Sequence, residues 1–237
     1  MTVTDALLAP VLAADARRPL ITFYDDATGE RLEFSGETLG NWVAKTANLL
    51  RDECDVEPGT RVAVLLPAHW QTAVVLLGAW WNGAVVTDDP AGADVALTDA
   101  EHLTTAGDAG LVVGLSLDAF GRPLDGLGGD AVDYASEVRL HGDSFAPLDP
   151  VPGDAPALGT ASVDEVVTAA RRRAAELGYD AGSRVLSVAQ WPLTLEGGLL
   201  DGLLAVLAAG GSLVQVRHPD LASLERKAEV ERATVSP

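Results

Sequence analysis

The segment from residue 61 to residue 98 constrains the fold most, because apolar runs in it alternate with one helical run. RVAVLLP (61–67) is short and continuously apolar, which is typical of a strand covered on both faces. A helix is predicted over 69–81, with Gly83 after its end, and further strands over 84–87 and 94–98. Strand, helix and strand in this order predict a mainly parallel α/β sheet.

The same alternation extends on both sides of this segment. Two β-prone runs, 20–24 and 31–34, are joined by a turn and predict a hairpin. Ser35 is predicted to cap the helix that follows. After residue 98 the pattern predicts a strand over 110–115 and a helix over 131–139.

A stretch rich in proline, aspartate and glycine, 141–156, has no apolar periodicity and predicts a linker between two lobes. A second α/β set follows it. Ser162 and Glu165 form a capping-box pattern that predicts a helix to Leu177, with Gly178 ending it. The remaining predicted elements are a strand over 184–188, a helix over 195–209, a strand over 212–216 and an amphipathic helix over 221–232.

Charge and cysteine content exclude several classes of protein. The formal charge of −19 at pH 7 repels phosphate backbones and anionic headgroups, so no nucleic-acid or membrane partner is predicted. The apolar stretches are shorter than the roughly 20 residues that cross a bilayer, and the N-terminus lacks the order of a signal peptide. The one cysteine, Cys54, cannot form an internal disulfide and is predicted to be a small buried side chain. The sequence therefore predicts a cytoplasmic protein.

Several segments together carry a family resemblance: LEFSGETLGNWVAKTANLL, VEPGTRVAVLLPAHWQTAVVLLGAWWNGAVVTDDP, ADVALTD and LSVAQWPLTLEGGLLDGLLAVLAAGGSLVQV. They resemble the N-terminal domain of adenylate-forming enzymes, the superfamily of acyl-CoA synthetases, peptide-synthetase adenylation domains and luciferases. The resemblance implies an α/β fold of two packed, mainly parallel sheet lobes with flanking helices, in a single truncated domain over 1–237. One lobe would hold about 61–147, and the other about 1–58 plus 157–237.

The chain departs from this family at the phosphate loop. The family's loop, S-G-T-T-G-x-P-K-G, wraps ATP phosphates with backbone N–H groups and a lysine. Here DAPALGTASVDE (154–165) stands in its place, and only Gly159, Thr160 and Ser162 remain as a degenerate remnant. Ser162 is a helix cap or a phosphate ligand, and its pattern with Glu165 favours the cap. Positions 46–226 contain no lysine, and the family's later metal- and ribose-binding motifs are expected beyond the last residue.

No catalytic residue, metal site or cofactor is predicted, since the four histidines are scattered without metal-ligand spacing. The resemblance places a candidate ligand pocket at Trp191 and Thr194. Trp191 follows the strand over 184–188, at a carboxyl end where α/β proteins place ligands. In the related enzymes this neighbourhood contributes to the acyl or amino-acid pocket. The alternative is that Trp191 is a buried structural side chain.

The leading functional hypothesis is an acyl-CoA synthetase-like protein without adenylation activity, acting as a small-molecule-binding or regulatory module. A small apolar or carboxylate ligand is expected, and an uncovered sheet edge predicts a homo-oligomer. The alternative is an adenylate-forming ligase of carboxylic acids that a partner chain completes. A fragment of a longer enzyme is disfavoured, because the phosphate loop is already degenerate inside the chain.

Overall fold

Two β-sheets with flanking helices make up the described residues, 1–119 and 121–234, of a computed structural model. The strands are β1 (Pro19–Asp25), β2 (Glu30–Ser35), β3 (Arg61–Leu65), β4 (Val85–Thr87), β5 (Val95–Thr98), β6 (Leu111–Gly114), β7 (Val132–Asp133), β8 (Pro156–Leu158), β9 (Ala161–Ser162), β10 (Arg184–Ser187) and β11 (Ser212–Arg217). The helices are α1 (Val3–Leu7), α2 (Ala9–Asp15), α3 (Gly36–Cys54), α4 (Trp70–Trp81), α5 (Leu103–Ala106), α6 (Tyr134–Glu137), α7 (Val163–Leu177), α8 (Ala205–Ala209) and α9 (Leu224–Glu231). Short 3-10 turns cover Val138–Leu140 and Leu221–Ser223, and a π-helical turn covers Leu200–Leu204.

The larger sheet has seven strands in the order β7-β6-β5-β3-β4-β8-β9. Its strands pair in parallel except for β8 and β9, which form a tight antiparallel pair. In the centre, Val62 of β3 lies between Val86 of β4 and Val95 of β5. All three side chains are buried, as the continuous apolar run predicts for a strand covered on both faces.

The smaller sheet has four strands in the order β10-β11-β1-β2. The predicted hairpin is confirmed, since β1 and β2 pair antiparallel, while β11 pairs in parallel with both β1 and β10. In the described part of the chain, Thr234 pairs with the outer side of β10 at Arg184: its backbone N–H donates to the Arg184 carbonyl at 2.9 Å, and its hydroxyl accepts from the Arg184 N–H at 2.8 Å. An α/β fold of two mostly parallel sheets with flanking helices is therefore confirmed.

The two sheets do not divide the chain where the predicted lobes do. Strands β8 and β9 lie within the predicted second lobe, yet Leu158 of β8 pairs with Val86 of the larger sheet. The predicted second lobe also extends to residue 237, and residues 235–237 lie outside the described part of the chain. The division into lobes stays a prediction.

Helices α3 and α4 pack closely together, with α3 against β1 and β2 of the smaller sheet and α4 against β3 and β4 of the larger one. A Cβ at Gly78 of α4 would lie 3.0 Å from the Thr46 Cγ2 atom of α3, so a larger residue would force Thr46 to shift. The Trp80 indole N–H donates to the Ala157 carbonyl at 2.8 Å, which ties α4 to β8. Trp80 is 1% exposed, as expected for a core tryptophan.

A row of aromatic side chains joins α4 to the smaller sheet. We call Phe23, Phe34, Trp42, His69 and Trp70 the aromatic row. The ring of Trp70 lies 4.5 Å from that of Phe34 and 5.8 Å from that of Trp42. His69 contacts Phe23 edge-on at 4.3 Å. Offset and edge-on contacts of this kind stabilise beyond the apolar area that they bury.

The predicted helix ends agree with the structure at three residues. The Ser35 hydroxyl accepts from the Thr38 backbone N–H, and Ser162 and Glu165 form a complete capping box at the start of α7. Gly178 ends α7 with a φ of +71°, a conformation that favours glycine. Cys54 is buried at the end of α3, and burial raises the pKa of its thiol to about 12.

Two predicted helices are shorter than expected. Over 131–139, Val132 pairs with Val113 in the larger sheet, so only Tyr134–Glu137 is α-helical. Over 195–209, the helical segment begins at residue 198 and passes through the π-helical turn. Gly197 has a φ of +69°, which explains why no helix begins at residue 195. In the described part of the chain, no helix is long and apolar enough to cross a membrane.

Candidate ligand-binding crevice

A crevice of about 370 Å³ lies where strands of both sheets end. We call it the interlobe crevice. Its lining residues follow β3 (Leu66, Pro67), β4 (Asp88), β5 (Asp99, Glu101, His102) and β10 (Gln190, Trp191, Pro192, Leu193), together with Val64 and Leu65 of β3 and Arg217 of β11. Ligands of open α/β sheets bind at the carboxyl ends of the strands. The position therefore makes this crevice the candidate site.

Trp191 lies in the apolar wall of the crevice and is 5% exposed. Its indole nitrogen is buried and has no hydrogen-bond partner among the described residues. A Cβ at Gly202 would lie 3.4 Å from this nitrogen and 3.4 Å from the Ser187 hydroxyl oxygen. Glycine in the π-helical turn thus leaves room for the indole edge. Trp191 also packs in the hydrophobic core. Its surroundings therefore fit both a residue of a ligand pocket and a buried structural side chain.

Asp99 and His102 form the polar wall. Asp99 follows β5, and its Oδ1 atom accepts from the backbone N–H groups of Glu101 at 3.1 Å and His102 at 3.2 Å. The His102 Nδ1 atom lies 2.7 Å from the same oxygen. Since an ionised carboxylate can only accept, Nδ1 carries the hydrogen. In the neutral ring, Nε2 is therefore an acceptor.

Among the residues that the structure describes, Arg217 is the one arginine or lysine that lines the crevice. Its Nη1 atom lies 3.9 Å from Asp25 Oδ2, which is too long for a hydrogen bond. Asp25 instead accepts at Oδ1 from the Ala27 N–H and from His218 Nδ1, each at 2.9 Å. Arg217 also borders a second cavity of about 650 Å³ beside the β1–β2 hairpin. The crevice itself is net acidic, with three carboxylates against one guanidinium.

The residues that the resemblance places at the family's phosphate loop form the turn between β8 and β9 and the start of α7. Gly159 lies in this turn with a φ of +56°. The Ser162 hydroxyl accepts from the Glu165 N–H at 3.3 Å, while the Glu165 carboxylate accepts from the Ser162 N–H at 2.8 Å. This backbone hydrogen bond, with one from the Ser162 hydroxyl, holds the pKa of Glu165 below its ordinary value. A shallow cavity beside the turn is lined by Thr160, Asp164, Glu165 and Arg172, among others.

Thr194 lies three residues after Trp191 but does not line the crevice. Its side chain is exposed, and its hydroxyl donates to the Glu196 carbonyl at 3.1 Å and accepts from the Glu196 N–H at 3.3 Å. The structure thus brings Trp191 into the crevice, and it places Thr194 in the exposed part of the same loop. Whether either residue binds a ligand stays a prediction.

Sequence reasoning missed the polar wall. The signal was present, since TDAEH (98–102) places carboxylates and a histidine directly after a buried strand. Spacing alone gives Asp99 and His102 no metal-site or catalytic pattern, so neither residue was a candidate. Within the ranges 1–119 and 121–234, no group of three or more His, Cys, Asp and Glu side chains could hold a metal ion.

One relative of this chain matches it along almost its whole length. A Mycobacterium tuberculosis (strain ATCC 25618 / H37Rv) protein described as "TIGR03089 family protein" is 51% identical over 240 residues, which cover 98% of this chain and 97% of that protein. No family model matches the sequence.

Solved structures with the same fold are acyl-CoA and anthranilate CoA ligases. The chain superposes on the anthranilate CoA ligase AuaEII in complex with anthranoyl-AMP with a TM-score of 0.75 at 14% identity. The TM-score is 0.76 at 15% identity for a Brucella canis acyl-CoA synthetase, and 0.75 at 15% identity for the N-terminal domain of FACL13 from Mycobacterium tuberculosis. All of this chain is covered, but only 49%, 47% and 62% of those chains, respectively. The resemblance to adenylate-forming enzymes is confirmed as a shared N-terminal-domain fold.

Proposed function

Because the chain belongs to the TIGR03089 family and has the N-terminal-domain fold of acyl-CoA synthetases, we propose that it binds a small molecule in the interlobe crevice without forming an adenylate. In this proposal the fold serves as a binding or regulatory module. Trp191 supplies the apolar contact to the ligand, and Asp99 and His102 supply the polar contact.

The main support for this proposal is the local structure of the β8–β9 turn, which stands where the resemblance places the family's phosphate loop. The Ser162 hydroxyl is engaged with Glu165 at the start of α7, so it has a complete structural role without a phosphate. Two carboxylates, Asp164 and Glu165, and one guanidinium, Arg172, line the adjoining cavity, so the charge of the described lining residues is net negative. A triphosphate there would meet negative charge instead of the family's lysine, and repulsion between like charges weakens binding. Stabilisation of the charge that develops during adenylation needs cations, which this turn does not supply.

The alternative is an adenylate-forming ligase of carboxylic acids that a partner chain completes. The outer side of β10 favours it, because β10 is an edge strand of the described sheet, and beyond the bonds between Arg184 and Thr234 this edge can pair with a further strand. The chain also spans about half the length of the ligases that share its fold. A partner that adds strands there would have to supply the phosphate and metal contacts as well.

Calorimetry with Mg-ATP tests whether the chain by itself binds the nucleotide. We expect no binding with a dissociation constant below about 100 μM, which corresponds to about 5.5 kcal/mol. Acid-dependent pyrophosphate exchange is also expected to be absent, with a complete acyl-CoA synthetase assayed alongside as the positive control. Tighter ATP binding, or exchange above background, would contradict the proposal.

Mass spectrometry of small molecules that co-purify with the native protein tests the binding part. The substitution Trp191→Ala should remove whatever co-purifies, and Thr194→Ala, in the exposed part of the same loop, is the matched control that should retain it. Emptying a packed core position costs about 3 to 5 kcal/mol in the free energy of unfolding. A smaller loss for Trp191→Ala would indicate that Trp191 lines the crevice. If Trp191→Ala is severely destabilised and the wild type carries no ligand, the binding hypothesis is refuted and the role of Trp191 is purely structural.

A further inference from the structure

The two walls of the interlobe crevice differ in chemistry. One wall is apolar and consists of Trp191 together with Leu66, Pro67 and Leu193. The other wall carries the acidic side chains that follow β4 and β5. A ligand that fills the crevice must therefore have an apolar side and a polar side.

The polar wall offers acceptors and few donors. Oδ1 of Asp99 already accepts from two backbone N–H groups and from His102. His102 Nε2 remains an acceptor when the ring is neutral. The carboxylates of Asp88 and Glu101 are on exposed residues and form no ion pair within the described part of the chain. A ligand group that donates hydrogen bonds fits this wall, whereas a carboxylate would have only Arg217, on β11, to pair with.

The net charge of the crevice also favours a ligand that donates hydrogen bonds and carries positive charge. Three carboxylates and one arginine line it, which leaves two net negative charges when His102 is neutral. Asp25 lies 3.9 Å from the single arginine, Arg217, and partly balances its positive charge. The whole chain carries a formal charge of −19, so the surrounding field also attracts cations.

We infer that the interlobe crevice selects a cationic amine with an apolar or aromatic body, rather than the carboxylate that the family resemblance suggests. The ammonium group faces Asp88, Glu101 and His102 Nε2, and the apolar body lies on Trp191. Aromatic faces also attract cations, so Trp191 tolerates an ammonium group near it. This inference rests on the proposed small-molecule binding and specifies the class of ligand.

Three matched probes test the selection: 2-phenylethylamine, 2-phenylethanol and 3-phenylpropanoate. They share an aromatic body and differ in a cationic, neutral or anionic head group. Calorimetry and ligand-observed NMR at pH 7 should give the order amine, alcohol, acid from tightest to weakest. Added salt should weaken the amine and leave the alcohol unchanged, because salt screens exposed charges.

Substitutions then locate the head group. Asp88→Asn and Glu101→Gln should each weaken the amine by about two- to fivefold, the range that exposed ion pairs give, and should not change binding of the alcohol. Glu196→Gln removes the same charge from an exposed residue outside the crevice and should have no effect. Trp191→Ala should weaken the amine and the alcohol together, and circular dichroism confirms that each variant is folded.

Each other result overturns the inference in a distinguishable way. Acid binding as tight as amine binding would overturn the charge selection and leave small-molecule binding intact. Equal effects of Glu196→Gln and Asp88→Asn would show attraction by overall charge only. Failure of all three probes to bind would overturn the inference. It would count against the proposed function as well only if the native protein also carries no co-purifying molecule that depends on Trp191.

Discussion

Ser162 and His69 each use a side chain to begin a helix. The Ser162 hydroxyl accepts from the Glu165 N–H, and the His69 Nδ1 atom accepts from the Gln71 N–H at 3.1 Å. Side chains at the first position of a helix satisfy backbone donors that have no partner within the helix. These local bonds determine how the two residues respond to substitution and to pH.

Ser162→Ala should lower the free energy of unfolding by about 0.5 to 2 kcal/mol, because α7 loses its cap. Ligand binding in the interlobe crevice should not change, since Ser162 does not line it. Urea denaturation measures the first effect and calorimetry the second. Ser144→Ala, in an exposed loop, is the control and should be neutral. A Ser162→Ala protein of unchanged stability would refute the capping role.

His69 should make stability depend on pH. Burial lowers the pKa of its ring to about 3 in the folded protein, against about 6.5 for an exposed histidine. Stability from the neutral ring is therefore complete above about pH 6.5 and is lost as the pH falls toward 3. Linkage gives a loss of about 2 kcal/mol between pH 7 and pH 5.

The variant His69→Asn isolates this effect, because asparagine also caps helices and does not titrate. Its free energy of unfolding should change less between pH 7 and pH 5 than that of the wild type. Denaturation at the two pH values measures the difference. Equal pH dependence in both proteins would mean that His69 is not held neutral.

At the scale of elements, the sequence predicts the strands and helices whose apolar pattern is long, and it misses elements that tertiary contacts determine. The seven-residue run at 61–67 contains β3 as predicted. Strands β8 and β9 have only three and two residues, which is too short for a pattern. In 131–139, the Asp133 side chain accepts from the Ser136 N–H and starts the helix later than its composition suggests.

In the crevice, too, the sequence predicts what a local pattern determines and misses what tertiary contacts determine. Trp191 could be predicted because it stands directly after a predicted strand in a segment that resembles a known pocket. Asp99 and His102 could not, because their position opposite Trp191 depends on how the two sheets meet. The acidic character of the crevice likewise results from two loops, one after β4 and one after β5, that the parallel sheet brings to the same edge.

Helix α9 is held to the smaller sheet by an ionic cluster around Glu231. Its side chain is 4% exposed and accepts from the Tyr24 hydroxyl at 2.5 Å, from Arg184 Nη2 at 2.5 Å and from Arg31 Nε at 3.0 Å. Burial alone would raise the pKa of Glu231, but these donors hold it below its ordinary value. The carboxylate is therefore charged and paired in the folded protein.

Glu231→Ala should lower the free energy of unfolding by about 3 to 5 kcal/mol, because Arg184, whose side chain is 16% exposed, loses its nearest carboxylate. Glu229→Ala, at an exposed position on the same helix, should change it by no more than about 0.5 kcal/mol. The midpoints of urea denaturation compare the two. Similar midpoints would show that the cluster contributes little to the attachment of α9.

At the scale of the whole molecule, the outer side of β10 predicts self-association. An open strand edge tends to pair with another chain, most simply in a symmetric dimer. Light scattering at micromolar concentration should give twice the monomer mass of 24.5 kDa. Higher salt should favour the dimer, because it screens the repulsion between two chains of charge −19. A monomer mass at every concentration and salt level would refute the prediction.

The aromatic row gives the molecule an internal optical reporter. Trp42 and Trp70 lie at 5.8 Å and Phe34 at 4.5 Å from Trp70, in fixed orientations between α4 and the smaller sheet. Rings held in an asymmetric surrounding produce near-ultraviolet circular dichroism, and that signal disappears when tertiary packing loosens while helices persist. The near-ultraviolet band therefore monitors whether the two sheets remain docked, without any label.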